Sequence, residues 1–146
     1  MSAPLPPIVI PPGQGLKAGG EASGGTLAMF DTSSTPGGWV PEHVHHAEEE
    51  AWYVLEGTLS FRFGERKVDA PAGSFVLVPR GNLHAFGNDS DAPARFLMMF
   101  APAGMEGFFA EMDELAASGG GYSAIDAETS MAIARKYNME IIAAKE

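Results

Sequence analysis

The sequence predicts a single all-β domain, a barrel or sandwich of short strands, followed by a short helical tail. Two observations carry that expectation. Short runs rich in Val, Phe, Tyr and Trp alternate with turn residues, and Gly and Pro are abundant, at 18 and 11 of 146 residues. A chain of this length buries one core around an internal pocket and is too short for a second folded unit. The expected organisation is an extended N-terminal arm over 1–20, the β domain over 21–104 and the helical tail over 105–146.

The arm is rich in Pro and Gly around the apolar patch Ile8-Val9-Ile10, a composition that suits an extended segment reaching toward a partner subunit better than a core strand. The first strand is expected over Thr26 to Phe30, and the turn-rich Ser33 to Gly38 follows it. Ala51-Trp52-Tyr53-Val54-Leu55 is a continuous apolar run closed by Glu56-Gly57, as expected of a strand covered on both faces. In Leu59-Ser60-Phe61-Arg62-Phe63 the alternation directs Leu59, Phe61 and Phe63 to one side. Phe75 to Val78, His84 to Asn88 and Arg95 to Phe100 complete the series, parted by Pro79-Arg80-Gly81 and Asn88-Asp89-Ser90. Beyond Pro102 the period changes: Phe108, Phe109, Met112, Leu115 and Ala116 recur at helical spacing over Met105 to Ala117 until a glycine run stops them. A second helix is expected from an Asp126 cap to about Tyr137.

The chemistry concentrates in two segments. His43 and His45 stand two residues apart, so on a strand both imidazoles project from one face and one ion reaches both. Glu50 heads the next apolar strand, where a carboxylate completes such a site, and its neighbour Glu49 would substitute if the loop were shifted. Glu48 and Glu49 themselves read as a solvated acidic edge. His84 follows a Pro-Arg-Gly turn that aims the first inward side chain of a strand back into the domain. An isolated histidine is more often packed than ligating, but three of the four histidines fall at these positions. With no cysteine in the chain, any metal sits on nitrogen and oxygen.

These segments resemble the two signature motifs of the cupin superfamily. The first, Gly-x5-His-x-His-x4-Glu-x6-Gly, is met by Gly37, His43, His45, Glu50 and Gly57. The second, Gly-x5-Pro-x-Gly-x2-His-x3-Asn, is met by Gly73, Pro79, Gly81, His84 and Asn88. The resemblance implies a double-stranded β-helix, the jelly-roll barrel, and one divalent metal ion (Fe, Mn, Ni, Cu or Zn) held by His43, His45, Glu50 and His84. Such a ligand set leaves one or two coordination positions open. Asn88 reads as structural, a strand-end side chain satisfying a turn backbone.

Strand parity marks Trp52, Val54, Phe61, Phe63, Phe86, Met98 and Phe100 as pocket wall, which predicts an apolar, aromatic pocket suited to a small hydrophobic or aromatic molecule. The stretch from Gly73 to Phe109 looks like small bacterial cupins of the quercetin 2,3-dioxygenase-like kind. That looser resemblance implies a dioxygenase using dioxygen on a hydroxylated aromatic or enol substrate, with Glu50 as both ligand and general base. Two alternatives stand beside it: a non-oxidative metal-dependent isomerase or cyclase, and a non-catalytic small-molecule-binding cupin.

A formal charge of -10, with nine scattered Lys and Arg, argues against nucleic acid and anionic membrane surfaces as partners. No apolar run is long enough to span a bilayer and no secretory leader pattern opens the chain, so a cytoplasmic location is expected. Apolar residues on both faces of one sheet, with the Pro-rich arm, predict a homodimer.

Overall fold

A computed structural model describes residues 3–142. Among the described residues, ten strands form two five-stranded antiparallel sheets packed face to face as a jelly roll, with the hydrophobic core between them. β1 (Gly15–Ala18), β2 (Ala28–Ser34), β4 (Glu49–Glu56), β7 (Phe75–Val78) and β9 (Ala94–Ala101) build the first sheet in the order β1-β2-β9-β4-β7. The second sheet contains β3 (Trp39–His45), β5 (Thr58–Phe63), β6 (Arg66–Pro71), β8 (His84–Gly87) and β10 (Met139–Ile141), in the order β10-β3-β8-β5-β6. The architecture is two packed sheets rather than a closed barrel.

Alternation along the strands sets what each sheet buries. In β9 the residues Ala94, Phe96, Met98 and Phe100 all face the core, and Trp52 and Val54 of β4 are fully buried opposite them. The remaining face of that sheet is open. Tyr53 and Leu55 are 42% and 38% exposed, and Phe75 and Leu77 on β7 are 59% and 54% exposed. The run over 51–55, expected to be covered on both faces, is therefore covered on one within a single chain. Its uncovered residues form an apolar outer patch with β7, which pairs Phe75 with Tyr53 and Leu77 with Ala51.

Three strands escaped the sequence reading. β1 lies inside the segment expected to be a free arm and pairs with β2; residues 3–14 precede it without regular structure. β6 pairs with β5 and turns only the small Val68 and Ala70 toward Phe61 and Leu59, a weak apolar signature among charged residues. β10 lies in the tail expected to be helical and pairs with β3. Before it come α2 (Met105–Gly119) and α3 (Ala127–Lys136); a short α1 (Gly20–Ser23) precedes β2. Asp126 caps α3 by accepting a hydrogen bond from the Thr129 amide at 2.7 Å, as its sequence position implies. Asn138, at φ 58°, turns the chain out of the helix and into β10.

Two motif residues fix the loops that flank the site. Gly57 has φ 74°, and a Cβ there would stand 2.5 Å from the Pro93 carbonyl oxygen, so the tight turn between β4 and β5 excludes a side chain. Asn88, wholly buried, donates to the Ser34 and Ala92 carbonyls at 3.1 and 2.8 Å and accepts from Ser90, satisfying the backbone of two loops at once.

Candidate metal centre

The cluster is assembled from both sheets. β3 carries His43 and His45 with their rings inward, and β8 pairs with it so that His84 lies directly across from His43. Glu50 arrives from the opposite sheet, near the start of β4 between Val78 and Phe100. The turn after Pro79 is tied to β3 by the Gly81 amide, which donates to the His45 carbonyl at 2.8 Å and so locks the two histidine segments together. All four side chains are buried, at 1 to 4% exposure.

The three imidazoles converge on one oxygen. Nε2 of His84, His45 and His43 lie 2.9, 3.0 and 3.6 Å from Glu50 Oε1. One potential ligand atom from each of the four residues lies within 4.8 Å of the others. Ligands at right angles around an ion with bonds of about 2.1 Å stand about 3.0 Å apart; His84 and His45 hold that spacing from Glu50 Oε1, and His43 stands farther off at 3.6 Å.

The outward ring nitrogens point to the same use. Nδ1 of His43 lies 2.9 Å from the Pro41 carbonyl and Nδ1 of His84 lies 2.9 Å from the Asn82 carbonyl. A carbonyl can only accept, so both Nδ1 atoms carry the proton and a neutral ring turns a bare Nε2 lone pair toward Glu50. Lone pairs facing a carboxylate oxygen repel unless a proton or cation lies between them. The donor set therefore fits a metal ion with its backbone partners already in place.

The electrostatics of the four groups are linked. Burial pushes the Glu50 carboxyl up, but where Nε2 of His43, His45 and His84 carries a proton in place of an ion, hydrogen bonds from these rings overcome it and hold Glu50 well below the usual carboxylate range. His43 balances burial, which lowers it, against the Glu50 carboxylate, which leaves it raised. Burial wins at His45, whose pKa is lowered and whose Nδ1 is buried without a partner.

Glu48 departs from the sequence reading. Expected as a solvated edge residue, it is 5% exposed, and its Oε1 has no hydrogen-bond partner. Burial pushes its carboxyl up to about 7, the charges of Glu50 and Glu49 adding to the effect and Arg80 opposing it. The sequence did contain a signal: Glu48 shares the inward parity of Glu50 and Trp52. Glu49, with the opposite parity, points out to Arg80 at 2.6 and 2.7 Å.

Over the cluster lies an apolar cavity of about 310 Å³, onto which His43, His45 and Glu50 open. Phe86, Met98 and Phe100, three of the seven residues marked as wall by parity, line it. Trp52, Val54, Phe61 and Phe63 do not: they face the interior farther along their strands and pack into the core beneath the site. The Trp52 indole meets the His84 ring edge-on at 5.7 Å, so its role here is to back a ligand. The missing walls come from the tail. α2 supplies Met105, Phe108, Phe109 and Met112, and β10 supplies Met139 and Ile141. The apolar periodicity of α2 was visible in the sequence, but the surface that it covers was not.

Residues 32–100 match the Cupin_2 cupin domain family. The chain is 31% identical over 81 residues to the tetracenomycin polyketide synthase protein TcmJ of Streptomyces glaucescens, across 56% of this chain and 53% of that protein. It thus spans about half the length of that relative. Among solved structures, a double-stranded β-helix protein from Klebsiella pneumoniae superposes with TM-score 0.54 at 20% identity, covering 68% of this chain and 84% of that one. A cupin-superfamily sugar phosphate isomerase from Silicibacter pomeroyi superposes with TM-score 0.50 at 30% identity, covering 56% and 55%. Jelly-roll topology, two complete motifs in register and the domain match agree: residues 32–100 form a cupin domain.

Proposed function

We propose that this protein is a metal-dependent cupin enzyme acting on a hydroxylated aromatic or enol substrate, with a quercetinase-like dioxygenase reaction as the leading reading. The observation that carries it is the cavity, an apolar chamber floored by imidazoles and a carboxylate. Beyond that floor its walls offer few polar side chains: Tyr122, Ser130, and Trp39, whose indole N–H already donates to Asp89. A flat apolar molecule with its own oxygen matches such a site.

His43, His45, Glu50 and His84 would hold one divalent ion of iron, manganese, nickel, copper or zinc, which supplies an open position and Lewis acidity toward a substrate oxygen. Phe86, Phe100 and Phe108 orient the body of the substrate and exclude water around it. Glu50 stands where a substrate hydroxyl would approach and takes its proton.

The test is an oxygen electrode on metal-reconstituted protein, screened with flavonols, catechols and enols. Oxygen uptake matched by ring-opened product is the expected result, and Glu50→Ala should abolish it. A second reading, non-oxidative isomerisation or cyclisation, draws support from the similarity to a polyketide synthase protein; a rearranged product without oxygen uptake would establish it. Recovery of unchanged ligand after saturable binding would instead favour a non-catalytic binding role. A sugar phosphate fits this cavity poorly, because among the described residues no Lys or Arg lines it.

The proposal extends to assembly and place. The outer patch of Tyr53, Leu55, Phe75 and Leu77, with the exposed arm residues Ile8, Val9 and Ile10, supports a homodimer with that sheet face at the interface. Light scattering should give twice the chain mass, and Phe75→Glu with Leu77→Glu should halve it. A cytoplasmic location belongs to the same reading and is checked by cell fractionation.

A further inference from the structure

Tyr122 occupies a singular position between the cavity and solvent. Its ring is a wall of the metal cavity and also of two surface grooves, one lined by Asp31, Thr32 and Glu106, the other by Ser33, Thr35 and Trp39. The residue is 54% exposed, and it alone among the described residues lines all three spaces: Met98 and Phe109 are shared with the first groove only, and Trp39, Val40 and Phe86 with the second only.

The segment that carries the ring is lightly held. Gly119, Gly120 and Gly121 precede it, the last two at φ 95° and 94°, and the single 3-10 turn Tyr122–Ala124 contains no buried residue. Backbone bonds hold the turn, from the Gly121 amide to the Ala116 carbonyl and from the Ile125 amide to the Tyr122 carbonyl, and the side-chain bond that holds the ring runs from its phenol to the Asp113 carboxylate on the exposed side of α2. Burial and then Asp113 push the phenol up to about 12, so it remains a donor at any working pH. One exposed bond of this kind shifts an equilibrium by about fivefold, and a segment with no buried side chain opens at low cost.

We infer that Tyr122, latched to Asp113, is the movable wall of the metal cavity and determines which ligands reach the cluster. The inference rests on the reading of that cavity as a small-molecule site. With the latch closed, the ring stands with Phe109 between the cavity of about 310 Å³ and the first groove, and with Trp39 between it and the second. When the ring swings out, the spaces join and a longer molecule passes. Access is thereby set by Tyr122 and Asp113, neither of which belongs to the metal cluster.

The test uses two neutral fluorescent probes, naphthol and the longer N-phenylnaphthylamine, in stopped-flow binding to the full chain, metal-loaded and metal-stripped. Tyr122→Phe removes the latch and keeps the ring; it should speed association and dissociation of both probes about fivefold and leave Kd within about twofold. Tyr122→Ala removes the wall; it should favour the longer probe over naphthol by about tenfold relative to the unmodified protein. Thermal melting confirms that both variants are folded. Rates and Kd unchanged in both variants would overturn the inference. So would a loss of affinity in Tyr122→Phe with unchanged association rate, the mark of a simple ligand contact. Probes that bind none of the three proteins would overturn it as well, while metal content would still judge the metal reading on its own.

Discussion

Replacing Glu48 by Gln should make the protein more stable at high pH while changing it little at low pH. The Glu48 carboxyl is buried with an unpaired Oε1, and burial raises it from 4.5 to about 7. Below pH 4.5 it is protonated in both folded and unfolded chains and contributes nothing to the pH dependence. As pH rises from there toward 7, the unfolded chain loses the proton first, so the folded state binds more protons and stability falls. The interval corresponds to at most about 3 kcal/mol, and relaxation around the carboxylate brings the expected loss to about 1 to 3 kcal/mol. Glutamine never ionises, so the variant escapes that loss. Urea unfolding at pH 5, 6, 7 and 8 reads the difference; groups titrating alike in both proteins cancel in it. At an m-value of about 2 kcal/mol/M, the midpoint advantage of Glu48→Gln should grow by about 0.5 to 1.5 M across that range. A difference independent of pH, or one that shrinks as pH rises, would refute the burial argument.

Other consequences follow from the same geometry. A metal ion bound at about a hundredfold excess over its Kd should stabilise the fold by about 2.7 kcal/mol and raise Tm by roughly 5 to 10 °C. In His84→Ala most of that shift should vanish in the same thermal scan. Asn88→Ala strips four hydrogen bonds from a wholly buried position and should cost about 2 to 4 kcal/mol in equilibrium denaturation. Gly57→Ala forces a Cβ against the Pro93 carbonyl at 2.5 Å; it should lower Tm by several degrees, about 1 to 3 kcal/mol, without changing metal content.

Much of the site was legible because strand parity is a local property. His43 and His45 had to share a face, and the Pro79 to Gly81 turn had to aim His84 inward; both hold in the sheets. The same parity named the inward residues but not their depth. Phe86, Met98 and Phe100 meet the cavity while Trp52 and Val54 lie below it, and that distinction depends on how the two sheets splay. β10 was invisible because Met139, Glu140 and Ile141 become a strand only by pairing with the edge of β3. Glu48 was misread because a run of three glutamates resembles a solvated edge, and its inward parity was given less weight than its charge. The exposure of Tyr53 and Leu55 is a property of the single chain, one that the sequence could not separate from that of a dimer.

The central claim is that His43, His45, Glu50 and His84 hold one ion. The most direct measurement combines metal content of protein reconstituted with each candidate divalent ion and X-ray absorption of the loaded form. The expected result is one ion per chain in a shell of three imidazole nitrogens and one carboxylate oxygen at about 2.0 to 2.2 Å, lost in His84→Ala. Failure to retain any of iron, manganese, nickel, copper or zinc, or a shell without imidazole nitrogen, would contradict it.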